Sequence, residues 1–138
     1  MSWFAYALIS ALAAALTAVL AKVGVEGVPS HLATAIRTVI VAAFSWTIVL
    51  ALGEHHAAQS ISRRSLVFLI LSGLATGISW LAYFRALQMG AVSRVAPIDK
   101  LSLPLTMLLA VVLLGEPVGR RAGIGIVLMT IGAFLTIS

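Results

Sequence analysis

The sequence contains no cysteine and very few charged side chains. Of its 138 residues, 9% are charged, and Asp and Glu together number only 4. The absence of cysteine excludes disulfides, thiolate zinc sites, iron–sulfur ligation and a cysteine nucleophile. About a quarter of the residues in a soluble domain are charged, so this chain cannot cover its own surface in water. A soluble enzyme and a disordered chain are therefore both excluded.

Apolar residues make up 62% of the chain and fall into long runs. A helix needs about 20 consecutive apolar residues to cross the hydrocarbon core of a bilayer. The runs predict an all-α integral membrane protein, with one domain over residues 1–138 and five transmembrane helices. The predicted spans cover about residues 3–22, 31–52, 65–87, 95–114 and 118–137. We therefore expect a multi-pass protein whose main partner is the lipid bilayer of the plasma membrane.

The basic residues are scattered along the chain, although they give it a net charge of +5. Such residues mark helix ends and buried sites in membrane proteins, so we expect no nucleic-acid binding. With five spans, one face of the membrane (face A) receives Arg63, Arg64, Arg120 and Arg121. The opposite face (face B) receives Lys22, Arg85 and Arg94, and also Arg37 and Lys100 if their side chains extend to the interface. Orientation follows the face richer in Lys and Arg, so this near balance favours insertion in both orientations.

Polar side chains recur at helical spacing on one face of each of the first four predicted helices. The four stripes are Tyr6, Ser10 and Thr17; Thr34, Arg37, Thr38 and Ser45; Ser72, Thr76, Ser79 and Tyr83; and Asp99, Ser102 and Thr106. A single hydroxyl in a membrane helix often bonds only its own backbone or a neighbouring helix. Four stripes together favour a shared polar cavity.

The ionisable residues near this cavity carry more positive than negative charge. Arg37, Arg85 and Lys100 are set against Asp99 alone, which leaves an excess of two positive charges. Such an excess in a low-dielectric cavity favours an anionic or zwitterionic solute. We expect Asp99 to pair with Arg37 or Arg85 rather than with its neighbour Lys100, which projects about 100° away around the helix. The alternative to a solute-binding cavity is an interior whose charges are all neutralised by salt bridges and have only a structural role.

Three further features have mechanical or contact roles. Pro104 has no N–H and its ring clashes with the Lys100 carbonyl, so we expect a hinge there and a freed backbone acceptor. Gly73 and Gly77 have the spacing that lets membrane helices pack closely. The aromatic rings of Trp80, Tyr83 and Phe84 would contact the solute, or else lie in the interfacial aromatic belt.

Motifs for catalysis or for a resident cofactor are missing from the sequence. No Ser–His–Asp arrangement, no H-E-x-x-H and no phosphate-binding glycine loop occurs, and the His55–His56 pair is too isolated for a metal site. We predict a protein that is not an enzyme and has neither a cofactor nor a metal.

Several segments taken in order are similar to one known family. They are Ala33–Thr38 (ATAIRT), Ser79–Leu87 (SWLAYFRAL), Val95–Ser102 (VAPIDKLS), Leu113–Pro117 (LLGEP) and the glycine-rich last helix. Together they resemble the EamA domain of the drug/metabolite transporter superfamily, in its short, single-domain bacterial form. The resemblance covers almost the whole chain.

The resemblance implies a transport function and an assembly. Larger members carry two five-span repeats in inverted orientation around a central cavity, so a single repeat would be completed by an antiparallel homodimer in the bacterial inner membrane. Related small multidrug resistance proteins use a Glu in the first span, which this chain lacks, and proton-coupled export of cationic drugs is thus not expected. Members that carry anionic metabolites use basic residues, for which Arg37, Arg85 and Lys100 would serve here.

We therefore predict a carrier of a small anionic or zwitterionic metabolite that works by alternating access. The predicted solute-binding residues are Arg37, Lys100, Asp99, Arg85, Tyr83, Trp80, Ser10, Thr34, Thr76 and Ser102. The alternatives are a non-transporting membrane subunit that stabilises or regulates a partner, and a passive channel.

Overall fold

The computed structural model describes residues 2–136, and this part of the chain is built from helices without any strand. Its six α-helices are α1 (Trp3–Gly24), α2 (Ser30–Ala51), α3 (Arg63–Met89), α4 (Val92–Asp99), α5 (Ser102–Leu114) and α6 (Arg120–Leu135). A short 3-10 helix, Glu54–Ser60, lies between α2 and α3.

Four stretches of helix are long and apolar enough to cross a membrane. They are α1, α2, α3 and the stretch Val92–Leu114, which contains α4 and α5. The prediction of an all-α membrane protein is therefore confirmed. The fifth predicted span corresponds to α6, which begins at Arg120 and has 16 residues. It begins later than predicted because Gly115–Gly119 is not helical, and its predicted end at Ile137 lies outside the described residues. A total of five spans stays a prediction.

Few side chains in the described part of the chain are buried by other residues of the same chain. The buried apolar side chains there are Ala18, Val25, Phe84, Leu87 and Ala133. Large apolar side chains along every long helix are instead exposed. In a bilayer such surface meets lipid tails or another membrane helix rather than water. A small number of buried side chains is thus expected of a membrane protein, whose apolar surface is covered by lipid or by other helices.

The chain divides into two compact units. Among the described residues, 2–19 and 89–136 form the first unit, and 20–88 form the second unit. In the first unit α6 packs against α4 and α5. In the second unit the 3-10 helix packs against the end of α2.

The fourth span is interrupted between α4 and α5. Its regular helix stops at Asp99 and resumes at Ser102, two residues before Pro104. Proline donates no backbone hydrogen bond to the residue four positions back, and the Lys100 carbonyl instead accepts from the Leu103 amide at 3.0 Å. The break lies at the hinge predicted from the sequence. The predicted free acceptor is not formed, because the Lys100 carbonyl accepts this hydrogen bond.

Gly115 ends α5 with a left-handed residue, at φ 69°. Its amide donates to the Val111 carbonyl at 3.2 Å, and the next amide, that of Glu116, donates to the Ala110 carbonyl at 3.2 Å. Glycine adopts this conformation without a steric penalty, and the two bonds satisfy carbonyls that a helix end leaves open. The Leu-Gly-Glu-Pro sequence is therefore a helix stop.

Candidate functional site

The Arg37 side chain on α2 lies against two aromatic rings on α3. Its guanidinium carbon is 4.5 Å from the centre of the Trp80 ring and 5.4 Å from the centre of the Phe84 ring. Both distances fall within the range of a cation–π contact. Trp80 and Phe84 are four residues apart, so they project from the same side of α3. The half-buried Arg37 is thereby held in place at an α2–α3 contact.

Buried side chains continue from this contact toward the beginning of α2. Thr34 and Ser30 are both only 5% exposed, and Phe84 is 3% exposed. The Thr34 hydroxyl donates to the Ser30 carbonyl at 2.9 Å. Because its proton is used in this way, the Thr34 oxygen has only acceptor capacity left. Arg37 with five N–H donors and Thr34 with an acceptor oxygen thus lie three residues apart on one helix face.

The end of α3 binds the connection between α1 and α2 through side chains that the sequence analysis did not assign to the site. The Lys22 Nζ donates to the Leu87 carbonyl at 2.6 Å. The Gln88 Nε2 donates to the Val28 carbonyl at 2.6 Å and to the Val25 carbonyl at 3.3 Å. Nothing local in the sequence signals these bonds, because each joins residues at least 60 positions apart.

Asp99 pairs with its neighbour Lys100, a contact that the sequence analysis did not favour. The Lys100 Nζ lies 3.4 Å from the Asp99 Oδ2. The two backbone positions do point apart, but the four methylenes of lysine let the ammonium group reach back. The side chains are 54% exposed for Lys100 and 36% exposed for Asp99, so the pair is open to its surroundings and belongs to the first unit.

The other predicted binding residues have varied positions. In the first unit, Ser10 and Ser102 are exposed. In the second unit, Arg85 is exposed and donates to the Gln88 Oε1 at 3.2 Å, and the Thr76 hydroxyl donates to the Ser72 carbonyl of its own helix at 2.9 Å. Tyr83 is half-buried, with its ring edge-to-face with the Phe84 ring at 6.5 Å. Of the predicted residues, the second unit therefore brings together Arg37, Trp80 and Thr34 most closely.

Gly73 and Gly77 face open space within the described part of the chain. A methyl group placed on either would meet no atom within 4 Å. The close helix packing predicted for them is not made by this chain alone. Both glycines leave a notch on α3 that another helix could enter.

No group of three His, Cys, Asp or Glu side chains suited to a metal ion occurs among residues 2–136. The chemistry that the described residues offer is hydrogen bonding and charge attraction around Arg37. Four stretches of helix that are long and apolar enough to cross a bilayer define a polytopic membrane protein.

Comparison with known proteins identifies the family. The profile of the EamA-like transporter family matches residues 1–138, and the chain belongs to this family. A Sinorhizobium sp. protein named "Uncharacterized transporter in cobO 3'region" is similar, with 48% identity over 134 residues that cover 97% of this chain and 95% of that protein. No solved structure matches the chain. The resemblance read from the sequence is confirmed, and the chain is a multi-pass membrane transporter.

Proposed function

We propose that this transporter is a carrier of a small anionic or zwitterionic metabolite, working by alternating access as an antiparallel homodimer in the bacterial inner membrane. The observation that carries the proposal is the half-buried Arg37 held against the Trp80 and Phe84 rings. Membership of a transporter family and the lack of catalytic motifs point away from an enzyme.

The Arg37 contact supports a solute with a negative group. Aromatic stacking uses the face of the guanidinium plane and leaves the N–H donors at its edge, which match a carboxylate or phosphate. The second unit contains two carboxylates, Glu26 and Glu54; both are exposed, and neither forms an ion pair with Arg37. An unneutralised cation in a low-dielectric site attracts an anion strongly. The acceptor oxygen of Thr34, three residues away, suits an ammonium group of the same solute.

The exposed surface and the balance of basic residues support an antiparallel pair. Polar or ionic residues facing lipid are costly in a membrane, yet Asp99 and Lys100 are partly exposed on this chain. A second copy in the opposite orientation would cover this pair. The nearly equal Lys and Arg counts on faces A and B permit both orientations. Pro104, at the break between α4 and α5, would let the fourth span bend during the cycle.

Solute counterflow in proteoliposomes tests the carrier proposal. The probes would be a labelled amino acid, a labelled sugar phosphate and labelled tetraphenylphosphonium, which represent a zwitterion, an anion and a cation. We expect saturable counterflow of the first or second probe and none of the third.

Variants of Arg37 test the binding site. Arg37→Gln should abolish this flux, and Arg37→Lys should retain part of it. Arg94→Gln serves as the control for loss of a basic residue. Full flux in Arg37→Gln contradicts the site. Non-saturable flux favours a channel, and no flux of any probe favours a regulatory subunit.

Orientation is tested separately by cysteine labelling, for which the cysteine-free sequence gives no background. A single Cys would replace Ser2, and intact cells would be treated with a membrane-impermeant maleimide before and after permeabilisation. A second Cys would replace Ser138, which lies outside the described residues. Labelling of about half of the protein at both positions in intact cells is the result expected of dual topology. Complete labelling at one position and none at the other contradicts the antiparallel homodimer.

A further inference from the structure

The connection between α1 and α2 is held to the end of α3 by two side chains that have no role in the proposed binding site. Lys22 reaches the Leu87 carbonyl at 2.6 Å. Gln88 reaches the Val28 carbonyl at 2.6 Å and the Val25 carbonyl at 3.3 Å. We propose that Lys22 and Gln88 are gating residues, which close the face-B end of the pathway that contains Arg37. This inference rests on the proposed carrier function.

The first bond uses a group that the end of a helix leaves open. The last four carbonyls of an α-helix have no partner within that helix, and Leu87 belongs to the last turn of α3. A cation is favoured there because the helix dipole places partial negative charge at this end. Lys22 can therefore bind the end of α3, or leave it, without breaking any hydrogen bond inside the helix.

The second group of bonds fixes the orientation of the Gln88 amide. Its Oε1 accepts from the Arg85 guanidinium at 3.2 Å, so its Nε2 faces the α1–α2 connection, where both acceptors are backbone carbonyls. Arg85, predicted from the sequence as a solute-binding residue, here orients Gln88. Each of these three bonds between the connection and α3 joins a side-chain nitrogen to a backbone oxygen.

A buried apolar plug lies directly beneath these bonds. Val25 is 3% exposed and Leu87 is fully buried, at 0%. Phe84 comes one turn before Leu87 and Gln88 on α3, and it contacts Arg37 from the other side. The order along α3 is therefore Trp80 and Phe84 at Arg37, then Leu87, then Gln88 at the helix end. Water or solute from face B would have to pass Val25 and Leu87 to reach Arg37.

The arrangement suits opening and closing better than permanent closure. The connection contains Gly27 at φ 71°, where glycine tolerates a left-handed backbone. Breaking the Lys22 and Gln88 bonds frees it without loss of any helical backbone bond. Alternating access requires such a closure at each end of the pathway in turn, made of few bonds that re-form in each cycle.

Accessibility of a buried cysteine tests the gate directly. The reporter is Thr34→Cys, because Thr34 is 5% exposed and lies three residues before Arg37 on α2. It would be labelled with an impermeant maleimide applied to both sides of the reconstituted membrane. We expect the combined change Lys22→Met with Gln88→Leu to raise the labelling rate at least fivefold. Lys22→Arg, which keeps a cationic donor, should leave the rate within twofold of the parent.

Two controls distinguish the opening of a gate from a general loss of packing in the protein. Arg94→Met also removes an exposed basic residue assigned to face B, and it should leave the Thr34→Cys labelling rate unchanged. Ala133→Cys reports on a buried position in the first unit, where Ala133 is 7% exposed. An unchanged rate at Thr34→Cys in the double variant overturns the gate. Equal rises at Thr34→Cys and Ala133→Cys also overturn it, because they indicate a purely structural role.

The labelling experiment requires no solute, so its failure is distinct from failure of the carrier proposal. A raised labelling rate without counterflow of any probe supports the gate and contradicts the carrier. Arg37→Gln with intact Lys22 and Gln88 should lose counterflow while Thr34→Cys remains protected. Loss of protection in that variant contradicts the separation of the gate from the binding site.

Discussion

The Arg37–Trp80 contact is predicted to make a measurable contribution to stability. The perturbation is a double-mutant cycle with Arg37→Met and Trp80→Leu, each of which removes one half of the contact and keeps an apolar side chain of similar length. A guanidinium carbon 4.5 Å from the ring centre lies well within the cation–π range. The cycle reports the pair interaction after the effects of the two single changes have been subtracted.

The expected coupling energy follows from the geometry and exposure of the pair. Cation–π contacts contribute about 0.5–1 kcal/mol at exposed sites and about 2 kcal/mol when desolvated. Arg37 and Trp80 are both half-buried, so we expect about 1 kcal/mol. Phe84 lies farther away, at 5.4 Å, and phenylalanine is a weaker partner than tryptophan. The corresponding cycle with Phe84→Leu should therefore give about half of this value.

The assay is equilibrium unfolding by dodecyl sulfate in mixed micelles, followed by circular dichroism at 222 nm, since tryptophan fluorescence changes with the substitution itself. A control cycle pairs Arg37→Met with Trp46→Leu, because Trp46 is nine residues along α2 and 58% exposed. The control should be additive. A coupling energy for Arg37 and Trp80 below about 0.3 kcal/mol, which is the scatter for independent sites, refutes the contact as the basis of the site.

Three other substitutions test features of the fold. Gly115→Ala should lower the free energy of unfolding by about 1 kcal/mol, since Gly115 has φ 69°, whereas Gly125→Ala inside α6, where an added methyl group meets no atom within 4 Å, should not lower it in the same assay. Leu87→Ala should lower the free energy of unfolding by about 2–4 kcal/mol, because Leu87 is fully buried. Leu74→Ala is the control, at a residue 62% exposed, and an equal loss of free energy in the two variants contradicts the packing of Leu87. Pro104→Ala restores an N–H donor toward the Lys100 carbonyl, so α4 and α5 should join into one helix. Amide hydrogen exchange at residues 101–103 should then become slower, and so should solute counterflow. Unchanged exchange would show that Pro104 does not cause the break.

The positions of the long helices could be predicted because the apolar runs and their breaks are local properties of the sequence. The regular helix of α6 begins two residues after the predicted start of the fifth span, since the apolar Val118 belongs to the non-helical Gly115–Gly119 segment and hydropathy alone does not distinguish such a segment from a helix. The break beside Pro104 also follows from local chemistry, because a missing N–H acts within one turn.

Contacts between distant residues were harder to predict. Arg37 was recognised from its charge within an apolar run, and Trp80 and Phe84 were recognised as aromatic rings near the solute, but the contact of both rings with Arg37 was not predicted because it joins two different helices. Lys22 at a span end is indistinguishable from an ordinary interfacial lysine until its bond to Leu87 is seen. The ion pair of Asp99 with Lys100 was not expected, because ideal helical geometry ignores how far the flexible Lys100 side chain reaches.

The length of α6 has a consequence for the membrane around it. Sixteen residues at about 1.5 Å each extend about 24 Å, which is about 6 Å less than the average hydrocarbon thickness. If α6 is the predicted fifth span, lipid thins beside it, at a cost of fractions of a kcal/mol for each ångström of mismatch. Short-chain lipids would reduce that cost, and so would a neighbouring helix that replaces lipid. In that arrangement the thickness of the bilayer favours association along α6, and transport should be fastest in thin membranes.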